Sequence, residues 1–425
     1  MPHLVRSWWD SGASAERYPP LPGSTGCDIA VIGGGVAGLH AALRLARDGA
    51  DVVLLERSHC GGGTSGRSSG FITPDSELQL DSLIRRFGEA EAAVLWSIAE
   101  AGVDLNAGTA RAHGFQCDLL APDSLFLGVG RSGAKSVRAE ARAREALGYR
   151  STLYEEAALP AVHSGRYQAG VRYGGTWAID PLRYCQGLRA LLRRQGVRIY
   201  ENTEVGALSG ATAVSKRGDV AAQHCIVCID KMPKRFNLRA WRKYYHAQTY
   251  LAISEPLTQG EANRLFPEAP LQCWDTRLVY TYYRLTGDNR LLLGGGSPLT
   301  TFARKEDPSP RVIESVIRGF RKRVPALGQL EFIAYWPGLI DITQDLLPLA
   351  APDPENPMVQ YVLGPAGLPW AAWCGDHVAG RLSRKVEPDF SRFFGWERDR
   401  LVPDALERVI GKPLSFTLDY FHSRR

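Results

Sequence analysis

The stretch CDIAVIGGGVAGLHAALRLARDGADVVLLER, residues 27–57, constrains this chain more than any other segment. Ile29 to Ile32 read as a short apolar strand, and Val36, Leu39, Leu43 and Ala46 recur at helical spacing up to Arg47. Gly49 stands where such a helix would end, and Val52 to Leu55 form a second strand that stops at Glu56. Strands apolar on both faces belong in a parallel sheet covered on both sides. Between the first strand and the helix, Gly33, Gly35 and Gly38 form G-x-G-x-x-G. Gly33 permits the tight turn, Gly35 lets a pyrophosphate approach the backbone, and Gly38 lets helix and strand pack closely. The helix N-terminus, opening at Val36, then offers free N–H groups to phosphates. Glu56, beside Arg57, ends the second strand where a carboxylate accepts hydrogen bonds from a ribose, and its charge argues against a 2′-phosphate. These features predict a dinucleotide site.

With 425 residues, 44% of them hydrophobic and 23% charged, the chain has material for two packed domains. Disordered, collagen-like and small disulfide-scaffold classes are excluded. A net charge of +6, without a Lys/Arg block interleaved with aromatics, leaves no expectation of a nucleic-acid partner. The eight cysteines show no disulfide framework or metal spacing, and the CxxC of Cys225 and Cys228 lies in HCIVCI, which reads as a buried strand. No apolar run approaches the ~18 residues of a membrane span, and the N-terminus lacks a signal-peptide core. A soluble, reduced, cytoplasmic protein is expected, with no metal.

Further along, 77–148 read as mostly helical, 170–178 as β-like, and 181–195 as a helix with Pro181 in its first turn. Residues 279–285 and 290–293 flank a hairpin turn at Thr286–Asn289. Val312, Ile313, Val316, Ile317 and Phe320 share one face of a helix whose other face is basic; packing on a sheet is expected, rather than a membrane surface. The tail, 413–425, fits strand and helix equally well.

After the second strand comes SHCGGGTSGRSSGFITP (58–74), small and flexible enough to wrap a long cofactor, with Thr64 and Ser65 within reach of its phosphates or ring. Here the chain resembles the D-amino-acid-oxidase-like FAD-dependent oxidoreductase superfamily, and within it the gamma-glutamylputrescine oxidase group. The resemblance runs nearly end to end. It rests on 27–38, on DTRLVYTYYRLTGDNRLLLGGG (275–296), on WPGLIDITQDLLP (336–348) and on GPAGLPWAAWCGDHVAG (364–380). It implies an α/β fold: a discontinuous Rossmann-like FAD-binding domain (27–85, 151–235 and 325–385) with an inserted mixed β-sheet substrate domain (86–150 and 236–324). An N-terminal arm (1–26) and a C-terminal extension (386–425) flank them.

The resemblance also implies that Val205 holds adenine through its backbone and that Gly338, Gly364, Gly367 and Leu368 contact the flavin. A helix starting near Pro369 would face the flavin's pyrimidine edge with its N-terminus. Relatives often have Gly-His-Gly where this chain has Gly367-Leu368-Pro369, and small residues where it has Asp230-Lys231; Lys231 is expected to leave into solvent. Relatives that bind flavin through a thioether use a Cys where this chain has Gly338, so non-covalent FAD is expected. Amino-acid-oxidising relatives read W-x-G-x-R, the Arg clamping the substrate carboxylate; here the stretch is Trp336-Pro337-Gly338-Leu339-Ile340, followed by Asp341, which either steers a cation or caps a turn.

Tyr250, Tyr280, Tyr282, Trp336 and Trp370 are candidates for an aromatic cage around an amine. Arg284 either orients an anion or pairs with Asp288, the pairing being preferred. The expected reaction is oxidation of a C–N bond of a secondary, acylated or polyamine-like amine to an imine, by hydride transfer from the neutral amine to flavin N5, with reoxidation by dioxygen. The alternatives are a dehydrogenase using a quinone or protein acceptor, and a non-catalytic flavin-binding subunit.

Overall fold

The computed structural model describes residues 2–75, 77–159, 166–298, 300–303, 305–384 and 389–398, together with Leu414. The fingerprint strand, Thr25–Ile32, lies at the centre of an eight-stranded sheet. It pairs in parallel with Val52–Leu55 on one side and Gly218–Val227 on the other. Arg198–Tyr200 and Val359–Leu363 extend the parallel order outward, and three antiparallel strands complete the sheet. Successive residues of a strand point to opposite faces, which splits the apolar run in two. Ile29, Val31, Val52 and Leu54 meet a helical layer, whereas Ala30, Ile32, Val53 and Leu55 meet the core on the other side. The helical layer comprises Val36–Arg47, Pro181–Arg194, Leu368–Arg384 and Glu89–Ala112.

The second sheet has nine strands. Its centre is antiparallel: Phe332–Thr343, Tyr244–Pro256, Arg290–Gly295 and Tyr282–Leu285 lie side by side. The hairpin turns at Thr286–Asn289, as the sequence predicts, with Leu285 opposite Leu291 and Asn289 left-handed at φ 59°. Helix Pro310–Arg323 buries its apolar stripe against one face of this sheet, so its basic side is a solvated face.

The expected domain boundaries shift in three places. Thr152–Glu155 and Ala169–Tyr173, assigned by sequence to the FAD domain, pair in the second sheet through Asp123–Gly128. Phe332–Thr343 spans that sheet too. Helix Glu89–Ala112, assigned to the substrate domain, packs instead on helix Leu368–Arg384 in the first core. The predicted helical stretch 77–148 is interrupted by strand Asp123–Gly128. The N-terminal arm adds a parallel strand, His3–Leu4, to the second sheet. Most of the C-terminal extension, including the ambiguous tail apart from Leu414, lies outside the described residues; within it Phe394 is buried against the helical layer.

All eight cysteines are free. Cys225 and Cys228 are held in a strand and just beyond it, where burial pushes both thiols up to about 12. A low thiolate pKa is what a redox pair needs. Among the described residues, no helix is long and apolar enough to cross a membrane and no group of three or more His, Cys, Asp or Glu could hold a metal ion.

Candidate active site

A groove of about 210 Å³ runs across the C-terminal ends of the parallel strands. It begins at Glu56, Arg57 and Val205 and ends at Gly364, Gly367 and Leu368. Its floor is the glycine fingerprint. Gly33 has φ 110°, and a Cβ there would lie 2.4 Å from the Cys228 carbonyl oxygen. A Cβ on Gly38 would lie 1.9 Å from the Gly33 oxygen. These two glycines therefore secure the turn and the strand–helix approach. Gly35 caps the fingerprint helix with no side chain to satisfy the first-turn N–H groups, which leaves a positively polarised end facing the groove. The Val36 N–H is met by the Ser65 hydroxyl at 3.1 Å. Glu56 accepts hydrogen bonds from Gly34 N–H at 2.7 Å and Ser58 N–H at 2.8 Å, and each oxygen keeps a second lone pair. Burial raises its carboxyl above the usual range.

A cavity of about 410 Å³ lies against the second sheet. It meets the groove at Thr64, Ser68, Ile340, Gly367 and Leu368, which line both spaces. Its walls carry Phe71, Phe126, Trp274, Tyr280, Tyr282 and Phe302. Phe71 packs edge-on against both Trp274 and Tyr282. The charged residues on the walls are Asp75, Glu77, Asp275, Glu306 and Arg67. Tyr280 Oη donates to Glu77 Oε1 at 3.1 Å. Burial raises the Asp75 carboxyl, against the opposing pull of Arg144.

Of the five aromatic candidates, Tyr280 and Tyr282 line this cavity and the other three do not. Tyr250 alternates with Thr249 and Leu251, both cavity-lining, so it points through the sheet into the core beneath helix Pro310–Arg323. Trp336 shares a face with Gly338 but is wholly buried beneath the arm, edge-on to Trp9, and donates to the Arg67 carbonyl at 2.9 Å. Trp370 packs on Trp373 and Phe394 within the helical layer. Phe71, Phe126, Trp274 and Phe302 are the aromatics that sequence reasoning missed. Phe71 carried a signal, since it directly follows the glycine-rich loop.

Two further expectations change, and a third is resolved. Lys231 turns inward: its Nζ donates to Asp230 Oδ2 at 2.6 Å, Thr64 Oγ1 at 2.8 Å and the Leu339 carbonyl at 2.8 Å. Of its two expected roles Asp341 takes the turn-holding one, because it accepts from the N–H of Lys231, in the turn at 230–231, at 2.7 Å, while its other oxygen pairs with His246 Nδ1 across the sheet at 2.6 Å. Arg284 does not meet Asp288, which pairs with Arg290 instead. Gly338 lines the cavity, and its carbonyl accepts from Gln248 Nε2 at 3.1 Å. Ile340 faces both spaces.

A family model described as FAD dependent oxidoreductase (DAO) matches residues 28–381. The gamma-glutamylputrescine oxidoreductase of Escherichia coli K12 is 29% identical over 392 residues, covering 90% of this chain and 89% of that protein. The probable oxidoreductase OrdL of Haemophilus influenzae is 28% identical over 359 residues, covering 81% and 80%. Among solved structures, glycine oxidase from Geobacillus kaustophilus superposes with a TM-score of 0.73 at 18% identity, covering 88% of this chain and 99% of that one.

Proposed function

Because the chain belongs to the DAO family of FAD-dependent oxidoreductases, we propose that it oxidises the C–N bond of a secondary, acylated or polyamine-like amine, with the reacting nitrogen neutral, to the imine, which water then hydrolyses. When bound, FAD would supply the two-electron acceptor for the hydride that leaves the carbon beside the nitrogen, with dioxygen as the oxidant that regenerates it. The glycine fingerprint, Thr64, Ser65, Glu56, Arg57 and Val205 would hold its dinucleotide part, while Gly338, Gly364, Gly367 and Leu368 would bound the ring end. The fit rests on the open helix end at Gly35 and on the way the groove enters the cavity at Gly367 and Leu368. Attachment is non-covalent on this reading: Gly338 offers no thiol, and acid precipitation should release the colour into the supernatant, a yellow pellet meaning the opposite. Eight unpaired cysteines support a reducing, cytoplasmic setting.

One observation carries the substrate class. Arg67, the one basic residue on the cavity wall among the described residues, is already engaged by Glu306 through both carboxylate oxygens, at 2.8 and 3.1 Å. An α-carboxylate entering this space would be stripped of water without a cationic partner, a cost of several kcal/mol. An ammonium or neutral amine meets aromatic faces and acidic groups instead. Phe71, Trp274 and Tyr282 exclude water from the reacting carbon, and Glu77 favours a cationic group on the substrate, whereas Asp275 is taken by Arg277 through both carboxylate oxygens at 3.0 Å.

The test is oxygen uptake by the purified yellow enzyme with N-alkylamines and mono-acylated diamines, set beside glycine, sarcosine and D-alanine. Turnover should be greatest with the carboxylate-free amines. Flavin reduction by those amines without oxygen uptake would point to a quinone or protein acceptor.

A further inference from the structure

We propose that Glu306 is the specificity-determining residue that closes this cavity to carboxylate substrates, by occupying the Arg67 guanidinium. The inference rests on the reading of the cavity as the substrate site. Arg67 comes from the glycine-rich loop at the groove, and Glu306 from the segment that leads into helix Pro310–Arg323. Both line the cavity. The pair is bidentate, the geometry by which a guanidinium binds a carboxylate ligand. Arg67 is held for that role: Nη2 also donates to the Pro337 carbonyl at 2.7 Å and Nε to the Arg6 carbonyl at 3.2 Å.

The segment bearing Glu306 is anchored as well. The next residue, Asp307, donates its N–H to Gln248 Oε1 at 3.0 Å and accepts from Tyr250 Oη at 2.7 Å. A substrate carboxylate must therefore compete with a carboxylate that the chain itself positions. Removing Glu306 leaves a preorganised, positively charged fork at the wall of an aromatic cavity, suited to a carboxylate on an apolar body.

The experiment uses FAD-loaded wild type, Glu306→Ala, Glu306→Gln and Glu306→Ala/Arg67→Met, each titrated with benzoate while the visible flavin band is followed. Benzoate is not oxidised and pairs a carboxylate with a ring that suits the aromatic walls. Glu306→Ala should bind it at least about tenfold more tightly than wild type, Glu306→Gln should follow in the same direction, and the double variant should return to the wild-type value. Equal binding by wild type and both single variants overturns the proposal. So does a gain that persists without Arg67, since the carboxylate would then be held elsewhere. Should Glu306→Ala lose FAD, the nearly isosteric Glu306→Gln decides the matter. Amine turnover plays no part in this readout, so an error in the proposed substrate class shows in oxygen uptake by wild type and leaves the benzoate comparison standing.

Discussion

Arg284 keeps a charge where water does not reach; carbonyls are its hydrogen-bond partners, and Asp180 and Asp118 favour the charge from farther off. Its guanidinium donates to the carbonyls of Ser69 at 2.8 Å, Ile179 at 2.7 Å and Leu285 at 3.0 Å. Burial pulls its pKa down to about 10, so it stays cationic near neutral pH. Gly35 matters for the opposite reason, as a place where a side chain would crowd the groove. A Cβ there would come 3.0 Å from Ser65 Oγ, and a branched side chain would enter the groove. Gly35→Val should retain less than about a tenth of the wild-type FAD, with an unchanged far-ultraviolet circular dichroism spectrum; stoichiometric FAD in that variant would contradict the assignment.

Glu140 gives a pH-dependent counterpart. Its carboxyl is buried beside Arg144 at 2.8 Å and near Asp75 and Asp81, and burial raises it to about 7 from the ordinary 4.5. A folded-state pKa above the unfolded one contributes stability that is complete below 4.5 and is lost as pH rises through 7. The melting temperature of Glu140→Gln minus that of wild type should therefore increase between pH 5 and pH 8, roughly the span over which this carboxyl ionises. A difference flat with pH would show that Glu140 titrates normally.

Among the elements, the glycine-rich loop is the part on which both spaces depend, and three elements hold it. The carbonyls of Arg67, Ser68 and Ser69 are taken in succession by Trp336 Nε1, Trp9 Nε1 and Arg284 Nε. The N-terminal arm is thus a strap over the cofactor loop. Trp9→Ala removes a buried indole and its hydrogen bond and should cost about 3 kcal/mol, lowering the temperature at which FAD fluorescence appears. Trp8→Ala, at a half-buried ring that carries Arg290, should cost less than about 1 kcal/mol. Equal effects would mean that the strap does not act through Ser68.

The parallel β-α-β unit was legible because its signals are local: apolar runs, helical spacing and the three fingerprint glycines Gly33, Gly35 and Gly38. The sheet membership of Thr152–Glu155 was not, because its partner strand is Ala169–Tyr173 and that strand's other neighbour, Asp123–Gly128, lies earlier in the chain. Alternation separated Tyr250 from Thr249 and Leu251 onto opposite faces, but which face meets the cavity depends on helix Pro310–Arg323 covering the other. Lys231 was misjudged for a related reason. Its partners Thr64 and Leu339 come from distant segments, and only Asp230 is a sequence neighbour.

Over the whole molecule, the groove on the parallel sheet opens into an aromatic, acid-bearing cavity on a mixed sheet, and residues of the loop, strand Phe332–Thr343 and helix Leu368–Arg384 meet at the junction. On the proposed reading this cavity takes the substrate, and the engaged arginine and Ile340 are the grounds for an amine rather than an amino acid. The most direct measurement is anaerobic mixing of the FAD-loaded enzyme with a mono-acylated diamine and, separately, with sarcosine, following the visible flavin band and then readmitting air. The acylated diamine should bleach the flavin faster than sarcosine at every concentration, and air should restore the colour. Faster bleaching by sarcosine, or none with any amine, would contradict the assignment of this cavity to carboxylate-free amines.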